Sequence, residues 1–415
     1  MGQDSPRWKA ALARLDARVD WERRDRGALR QDLGPVRDLA ERLGHPERAF
    51  RAVHVAGSKG KGSVAALVAA GLTAAGRRTA LYTSPHVEDV KERMVVDGRA
   101  LPEELLADAL EQALDARAAA ESEGTPAAAA TWFDLLTTAA LVAFARSAVE
   151  WAVVEVGLGG RLDSTNVLDA ELCVITTIEL EHAELLGPTR REVALEKAGI
   201  LFPGTTLVCG PPPGDEAGDA IRDRAGKLGV AIVDPGGPPP GTAGIEGANL
   251  ALAGAVLEAL GESATLLTHA VRRAARLPGR LERRRVGATA VVLDGAHTPA
   301  SLEGALGALA GDPTLRGRCI AVVGLARDKD AGAFLKTLLG RVDRVHCTSV
   351  GGVRHRPAEE LRGLAAAAGL DAVAAEPPGV ALDDAVAEAG SEGWVLVTGS
   401  LWLAGVVRGT TAAPA

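Results

Sequence analysis

Aromatic side chains are scarce in this sequence: one tyrosine, five phenylalanines and six tryptophans make up 3% of 415 residues. A chain of this length can bury large cores, and with 47% hydrophobic residues those cores must be built mainly from alanine, valine and leucine. Cysteine is scarcer still. Cys173, Cys209, Cys319 and Cys347 lie far apart with no C-x-x-C pair, which excludes a disulfide framework and suits a reducing compartment. Each sits in or beside an apolar run, where a small buried hydrophobe is expected rather than a ligand. Positive charge is short as well, with 46 Lys and Arg against 54 Asp and Glu and a net charge of −8. This argues against a general nucleic-acid binder. Long apolar runs are missing: stretches such as 135–144 are too short to span a bilayer, and the N-terminus is charged from Asp4 onward with no apolar signal core. The expectation is a cytoplasmic protein without membrane or nucleic-acid partners.

What the chain does hold begins at residues 53–64, Val-His-Val-Ala-Gly-Ser-Lys-Gly-Lys-Gly-Ser-Val. A β-branched run breaks into glycines and a lysine and then becomes an alanine-rich helix. Gly57, Gly60 and Gly62 let the backbone approach an anion, the N–H groups at the helix start point at it, and Lys61 adds a mobile positive charge. The pattern departs from the general P-loop because Gly62 separates Lys61 from the hydroxyl of Ser63. Taken alone it also reads as a glycine turn between strand and helix.

Around this stretch the chain alternates in the βα manner. After helical residues at 7–49, closed by Gly44-His45-Pro46, strands are expected at 52–56, 79–83, 151–156, 172–177 and 205–209. Helices are expected at 61–75, 102–118, 131–147 and 190–198, with an alanine-rich loop at 117–130. Stretches 211–218 and 235–244 read as surface connections by their Pro and Gly content. A second series follows Leu277-Pro278-Gly279-Arg280, with strands at 288–294, 319–325, 344–350, 371–375 and 394–398 and helices between them. Apolar strands bounded by glycine indicate sheets covered on both faces. The fold class is therefore α/β: an N-terminal P-loop ATPase-like domain, 1–278, with a mostly parallel sheet, and a smaller C-terminal Rossmann-like domain, 279–415, hinged at Pro278-Gly279.

Open parallel sheets gather ligands at the carboxyl ends of their strands. There the sequence places Thr83-Ser84-Pro85-His86, Glu155 with the loop 157–166, and Thr176-Thr177-Ile178-Glu179-Leu180-Glu181-His182 beside the phosphate loop. A hydroxyl, a carboxylate and an imidazole on one edge can complete the coordination of Mg²⁺ held also by phosphate oxygens. Individually, Ser84 also reads as a cap, Glu155 as a paired carboxylate and His182 as a helix-end residue.

These segments, together with Glu92-Arg93, 155–167, 182–187, Glu196-Lys197-Ala198-Gly199-Ile200, Pro278-Gly279-Arg280, Asp294-Gly295-Ala296-His297, Asp328-Lys329-Asp330 and 395–401, resemble the folylpolyglutamate synthase and dihydrofolate synthase family of Mur-type amide ligases. The resemblance runs through nearly the whole chain in order. It implies transfer of the ATP γ-phosphate to a carboxylate and displacement of the resulting acyl phosphate by the amine of L-glutamate. The acceptor is expected to be a folate, with dihydropteroate as a second candidate; the alternatives are a Mur-type ligase with another acceptor, a non-catalytic nucleotide-binding descendant, and a plain P-loop kinase or ATPase. By the same resemblance Gly57, Ser58, Gly60, Lys61, Gly62, Ser63, Asn249, Arg280 and Asp294 bind ATP. Ser84, Glu155, His182 and a carbamylated Lys197 hold one or two Mg²⁺ ions, and Lys61, Lys197 and His297 act in catalysis. Lys197 also reads as a charge favourable to its helix end. A site divided between two domains implies closure before chemistry, and family members are commonly monomers.

Departures cluster at the site. Ser58 and Lys59 stand where Thr-Asn is usual, Glu179-Leu180-Glu181-His182 where Gly-Leu-Asp-His is usual, Thr298 for Asn, Val90 and Lys91 for Phe and Asn, and Asp134 for Glu. The gain of both a cation at Lys59 and a carboxylate at Glu179 predicts an ion pair from Lys59 to Glu179 or Glu181.

Overall fold

The computed structural model describes residues 5–19, 32–242 and 244–412. Two compact units emerge. One gathers residues up to His86, Val90–Thr242 and Gly247–Ala275; the other gathers Val87–Asp89, Ala243–Glu246 and the run from Arg276. The expected hinge at 278–279 falls in the first residues of that last run.

The first unit is built on eight strands: β1 Arg51–Ala56, β2 Thr79–Tyr82, β3 Met94–Val96, β4 Arg99–Ala100, β5 Trp151–Glu155, β6 Leu172–Ile175, β7 Thr206–Cys209 and β8 Ala231–Val233. Their order is β4-β3-β2-β5-β1-β6-β7-β8, parallel from β2 to β8 and antiparallel in the β2-β3-β4 meander. Strands β1, β5 and β6 are fully buried but for Arg51, as strands covered on both faces must be. Most of the few aromatics are spent here. Trp8, Trp132, Trp151, Tyr82 and Phe144 are among the largest fully buried side chains.

The second unit carries β9 Glu282–Val286, β10 Thr289–Leu293, β11 Cys319–Val323, β12 Arg344–Cys347, β13 Ala372–Ala374 and β14 Trp394–Thr398, ordered β13-β12-β11-β14-β10-β9. Alternate residues face two separate cores. Val291, Leu293, Ile320, Val322, Val395 and Val397 pack into one and Val292, Ala321, Val323 and Leu396 into the other, the period of two that a pleated strand imposes. All four cysteines are free and buried; burial pushes the Cys173, Cys319 and Cys347 thiols up to about 12.

Several expectations are corrected. The segment 117–130 is no simple loop: the helix Glu103–Glu123 runs through its first half, Gly124 (φ 69°) ends it, and Pro126–Ala129 forms a 3-10 turn. Alanine, the best helix former, was read there as linker. Helices also enter both Pro/Gly stretches, Glu216–Leu228 capped by Asp215 and Gly244–Ala259. Strand β9 was not foreseen because Glu-Arg-Arg-Arg-Val reads as a charged run; it pairs antiparallel with β10 at the sheet edge, where charged side chains are tolerated. The expected helical lead-in is the helices Pro6–Asp16 and Gly34–Arg42, and its portion at 20–31 lies outside the described residues.

Candidate functional site

Strand order, more than sequence order, assembles the site in the first unit. Strands β2, β5, β1 and β6 are consecutive neighbours, so the loops after them line one sheet edge. β1 runs into Gly57 at φ 145°, and a side chain there would put its Cβ 1.9 Å from Thr176 Oγ1. Gly60 at φ 81° precedes the helix Lys61–Ala74, whose N-terminus carries no side-chain cap. Its first N–H groups are thus not taken by a side-chain cap and can serve an anion. A Cβ on Gly60 would lie 2.4 Å from Asn249 Oδ1, which places Asn249 directly on the turn. Ser58 lies within this loop, and Gly62 and Ser63 in the first helical turn.

Two lysines converge on one oxygen. Lys61 Nζ and Lys197 Nζ each donate to the Gly57 carbonyl at 3.0 Å. Lys197 also donates to Glu181 Oε1 at 2.7 Å and is only 1% exposed. Burial, and then the charge of Lys61, bring its pKa down to about 8 against the pull of Glu181. Burial works to raise the Glu181 carboxyl, but Lys197 and Lys61 overcome it and hold the group below its ordinary range. Two ammonium groups share one carboxylate here, and the surplus positive charge favours an anion.

Glu155 ends β5 opposite Val55 and is 5% exposed; its Oε2 accepts the Ser84 N–H at 3.0 Å. The turn bearing Ser84 is braced from behind. Thr83 N donates to the Arg93 carbonyl at 3.0 Å, and the buried Arg93 donates to His86 Nδ1 at 2.9 Å with its guanidinium 4.9 Å from the Trp132 ring. His182, at φ 47°, opens the short helix Ala183–Leu186, its Nδ1 3.9 Å from the Glu184 carboxylate.

Among the described residues no cluster of three or more His, Cys, Asp and Glu is placed to hold a metal unaided. Of the residues expected to hold Mg²⁺, the structure joins Glu155 to the backbone of Ser84, and a Mg²⁺ ion needs only one or two protein carboxylates when phosphate and water fill the rest of its shell. Lys197 as an ammonium is donor-only, so it can ligate only after modification.

In the second unit, Asp294 follows β10, and both its oxygens accept backbone N–H groups, Leu281 N at 3.0 Å and Ala296 N at 2.9 Å. The Asp-Gly turn role is therefore filled. Burial raises its pKa, against those bonds and the charge of Arg280. His297 is lowered by burial, with Lys329 and Arg280 adding to the effect. Its Nδ1 lies 3.1 Å from the Gly295 carbonyl, an acceptor only, so Nδ1 carries the proton and Nε2 offers a lone pair. Arg280, Asp294, His297 and Lys329 are thus brought together.

Residues 279–401 match the family model described as Mur ligase, glutamate ligase domain. The chain is 32% identical over 400 residues to the dihydrofolate synthase/folylpolyglutamate synthase of Escherichia coli, covering 89% of each. The chain belongs to the folylpolyglutamate synthase/dihydrofolate synthase family. It is also 35% identical over 408 residues to a probable bifunctional folylpolyglutamate synthase/dihydropteroate synthase of Halobacterium salinarum, covering 89% of this chain but spanning 48% of that relative's length. Among solved structures, it matches Mycobacterium tuberculosis folylpolyglutamate synthase complexed with ADP at TM-score 0.84 and 28% identity, covering 97% and 98% of the two chains. The Escherichia coli enzyme in complex with DHPP and ADP matches at 0.80 and 28%, covering 99% of both. A bifunctional folylpolyglutamate synthase/dihydrofolate synthase with Mn, AMPPNP and L-glutamate bound matches at 0.78 and 28%, again covering 99% of both.

Against the family pattern, the unusual residues find partners. Lys59 Nζ pairs with Glu179 Oε2 at 2.7 Å, while Glu181 is engaged by Lys197. Val90 is buried in the core, and Lys91 pairs with Glu103 at 2.5 Å. Asp134 accepts from Thr131 and from Ser164 Oγ at 2.6 Å, tying a helix start to the loop after β5. Sequence reasoning missed a buried chain beside the site: His54 Nε2 to Thr165 Oγ1 at 2.8 Å, and Thr165 Oγ1 donating to Asp163 Oδ1 at 2.5 Å. Asp163 Oδ2 accepts Leu158 N at 2.9 Å. The available signal was a lone histidine inside an apolar strand.

Proposed function

We propose that this chain forms an amide between the amine of L-glutamate and the carboxylate of a folate, and accepts dihydropteroate as well, with ATP converted to ADP. Family membership supports the ligase class, and the observation that carries the site assignment is the convergence of Lys61 and Lys197 on Gly57 beside the Glu155–Ser84 contact. In the first step a carboxylate oxygen attacks the γ-phosphorus and the bond to ADP breaks, giving an acyl phosphate. The glutamate nitrogen then attacks the acyl carbon, phosphate leaves, and the nitrogen loses a proton. Both steps bring anions together, so positive charge must be fixed in advance.

Lys61 and the N–H groups at the start of its helix draw in the triphosphate. Ser84, Glu155 and His182 are the residues to hold Mg²⁺, which when bound neutralises phosphate oxygens. The lowered pKa of Lys197 supplies the neutral amine that adds CO₂ and loses a proton to become a carbamate, an oxygen donor. His297, with its Nε2 lone pair, is suited to take the amine proton, and Arg280, Asp294 and Asn249 serve the nucleotide. We take the enzyme to be a cytoplasmic monomer, for which sedimentation should give one species near 42.6 kDa. No helix among the described residues is long and apolar enough to cross a membrane.

The test is purified protein with Mg-ATP, L-glutamate and a panel of acceptors, following ADP and product mass. ADP release should require both glutamate and the acceptor. Failure to form an amide with dihydropteroate and with every folate overturns the assignment.

A further inference from the structure

The phosphate loop is sewn to the loop after β6 along its outer edge. Ser58 N donates to Thr177 O at 2.8 Å, Lys59 N donates to Thr177 Oγ1 at 2.9 Å, and Thr176 Oγ1 donates to Lys59 O at 2.6 Å. Ser58 Oγ accepts Glu179 N at 3.0 Å. On this framework the Lys59 ammonium meets the Glu179 carboxylate at 2.7 Å, with the side chains 20% and 43% exposed. An exposed pair is ordinarily weak because two long side chains must be ordered for it. Here both backbones are already fixed, so less ordering remains to oppose the contact.

The consequence follows from what lies next in the chain. Two residues past Glu179, Glu181 holds Lys197; one residue further is His182. A pair that fixes Glu179 against Lys59 therefore fixes the segment that sets Lys197 over the Gly57 carbonyl. It also occupies the extra cation. Lys59, two residues before Lys61 in an anion-binding loop, is neutralised by Glu179 rather than turned toward a phosphate.

We propose that Lys59 and Glu179 form a positioning pair that locks the phosphate loop to the loop after β6, and that nucleotide affinity in this protein depends on the pair and not on Lys59 as a phosphate ligand. This rests on the reading of residues 57–63 as a nucleotide site, and its readout is binding rather than ligation. Calorimetric titration of the full chain with Mg-ADP should show Lys59→Met and Glu179→Gln each weakening affinity by about two- to fivefold, the size of a partly exposed pair. The exchanged double variant, Lys59→Glu with Glu179→Lys, should return to within about twofold of wild type. Raising salt to about 0.5 M should shrink the difference between wild type and Lys59→Met. If instead Glu179→Gln tightens Mg-ADP binding while Lys59→Met weakens it, Lys59 is a phosphate ligand and the proposal fails. It fails also if the exchanged variant binds no better than the single ones, or if wild type does not bind Mg-ADP. Wild type that binds Mg-ADP but forms no amide overturns the proposed function and leaves the pair standing on its own result.

Discussion

Lys197 is a site residue whose chemistry the fold changes strongly. Its side chain is buried, and its pKa is lowered to about 8 from 10.5, by burial first and by Lys61 second. Because the folded state releases this proton more readily than the unfolded chain, below about pH 8 both states are protonated and the folded state carries the whole penalty of a buried ammonium. Between about pH 8 and 10.5 the unfolded state binds more protons, so stability rises with pH across that window, by about 3 kcal/mol in all. Lys197→Met should remove this slope. Urea unfolding of wild type and variant should give a stability difference that changes by roughly 2–3 kcal/mol from pH 7.5 to pH 10; a constant difference would mean that the lysine titrates normally.

Among the elements, the turn from β1 into the helix Lys61–Ala74 has little freedom. Gly57 combines φ 145° with a neighbour, Thr176 Oγ1, 1.9 Å from where a Cβ would sit. Gly57→Ala therefore meets both backbone strain and a steric clash, for a loss of about 2–4 kcal/mol in unfolding free energy. Gly57→Ala with Thr176→Ala, measured against Thr176→Ala alone to remove the cost of the lost Thr176–Lys59 hydrogen bond, should lose less than Gly57→Ala loses from wild type, since the hydroxyl clash goes and the strain stays. An equal loss for Gly57→Ala in the wild-type and Thr176→Ala backgrounds, read from denaturant melts, would show that the contact with the Thr176 hydroxyl does not limit the turn. This element was legible in advance because glycine spacing after a β-branched run has few other uses. The chain from His54 through Thr165 to Asp163 was not, since its first two members are 111 positions apart and only the β1–β5 pairing brings them together.

For the molecule as a whole, each unit has its own sheet and core, and nucleotide binding provides the test of where ATP sits. A ligand that binds only the folded state adds about 2.7 kcal/mol at a hundredfold excess over its dissociation constant. Mg-ADP should accordingly raise the thermal midpoint of wild type by several degrees. Lys61→Ala should keep the melting temperature of the free protein near that of wild type, because Lys61 sits in the first helical turn, donates to a loop carbonyl, and its attraction to Glu181 is offset by its repulsion of Lys197. It should lose most of the shift with Mg-ADP. A full shift in that variant would move the phosphate site away from this loop.

The sequence by itself determined the alternation of strands and helices, the two-sheet α/β class and the loops that carry polar groups, because these depend on local periodicity and on glycine. It also marked Lys59 and Glu179 as a gained pair of opposite charges. Only the tertiary structure decided which carboxylate each lysine meets: Glu179 for Lys59 and Glu181 for Lys197. Those carboxylates are two positions apart in the chain, with only Leu180 between them. The choice between them depends on how the loop after β6 lies against the phosphate loop, and that follows from β1 and β6 being paired as neighbours in the sheet.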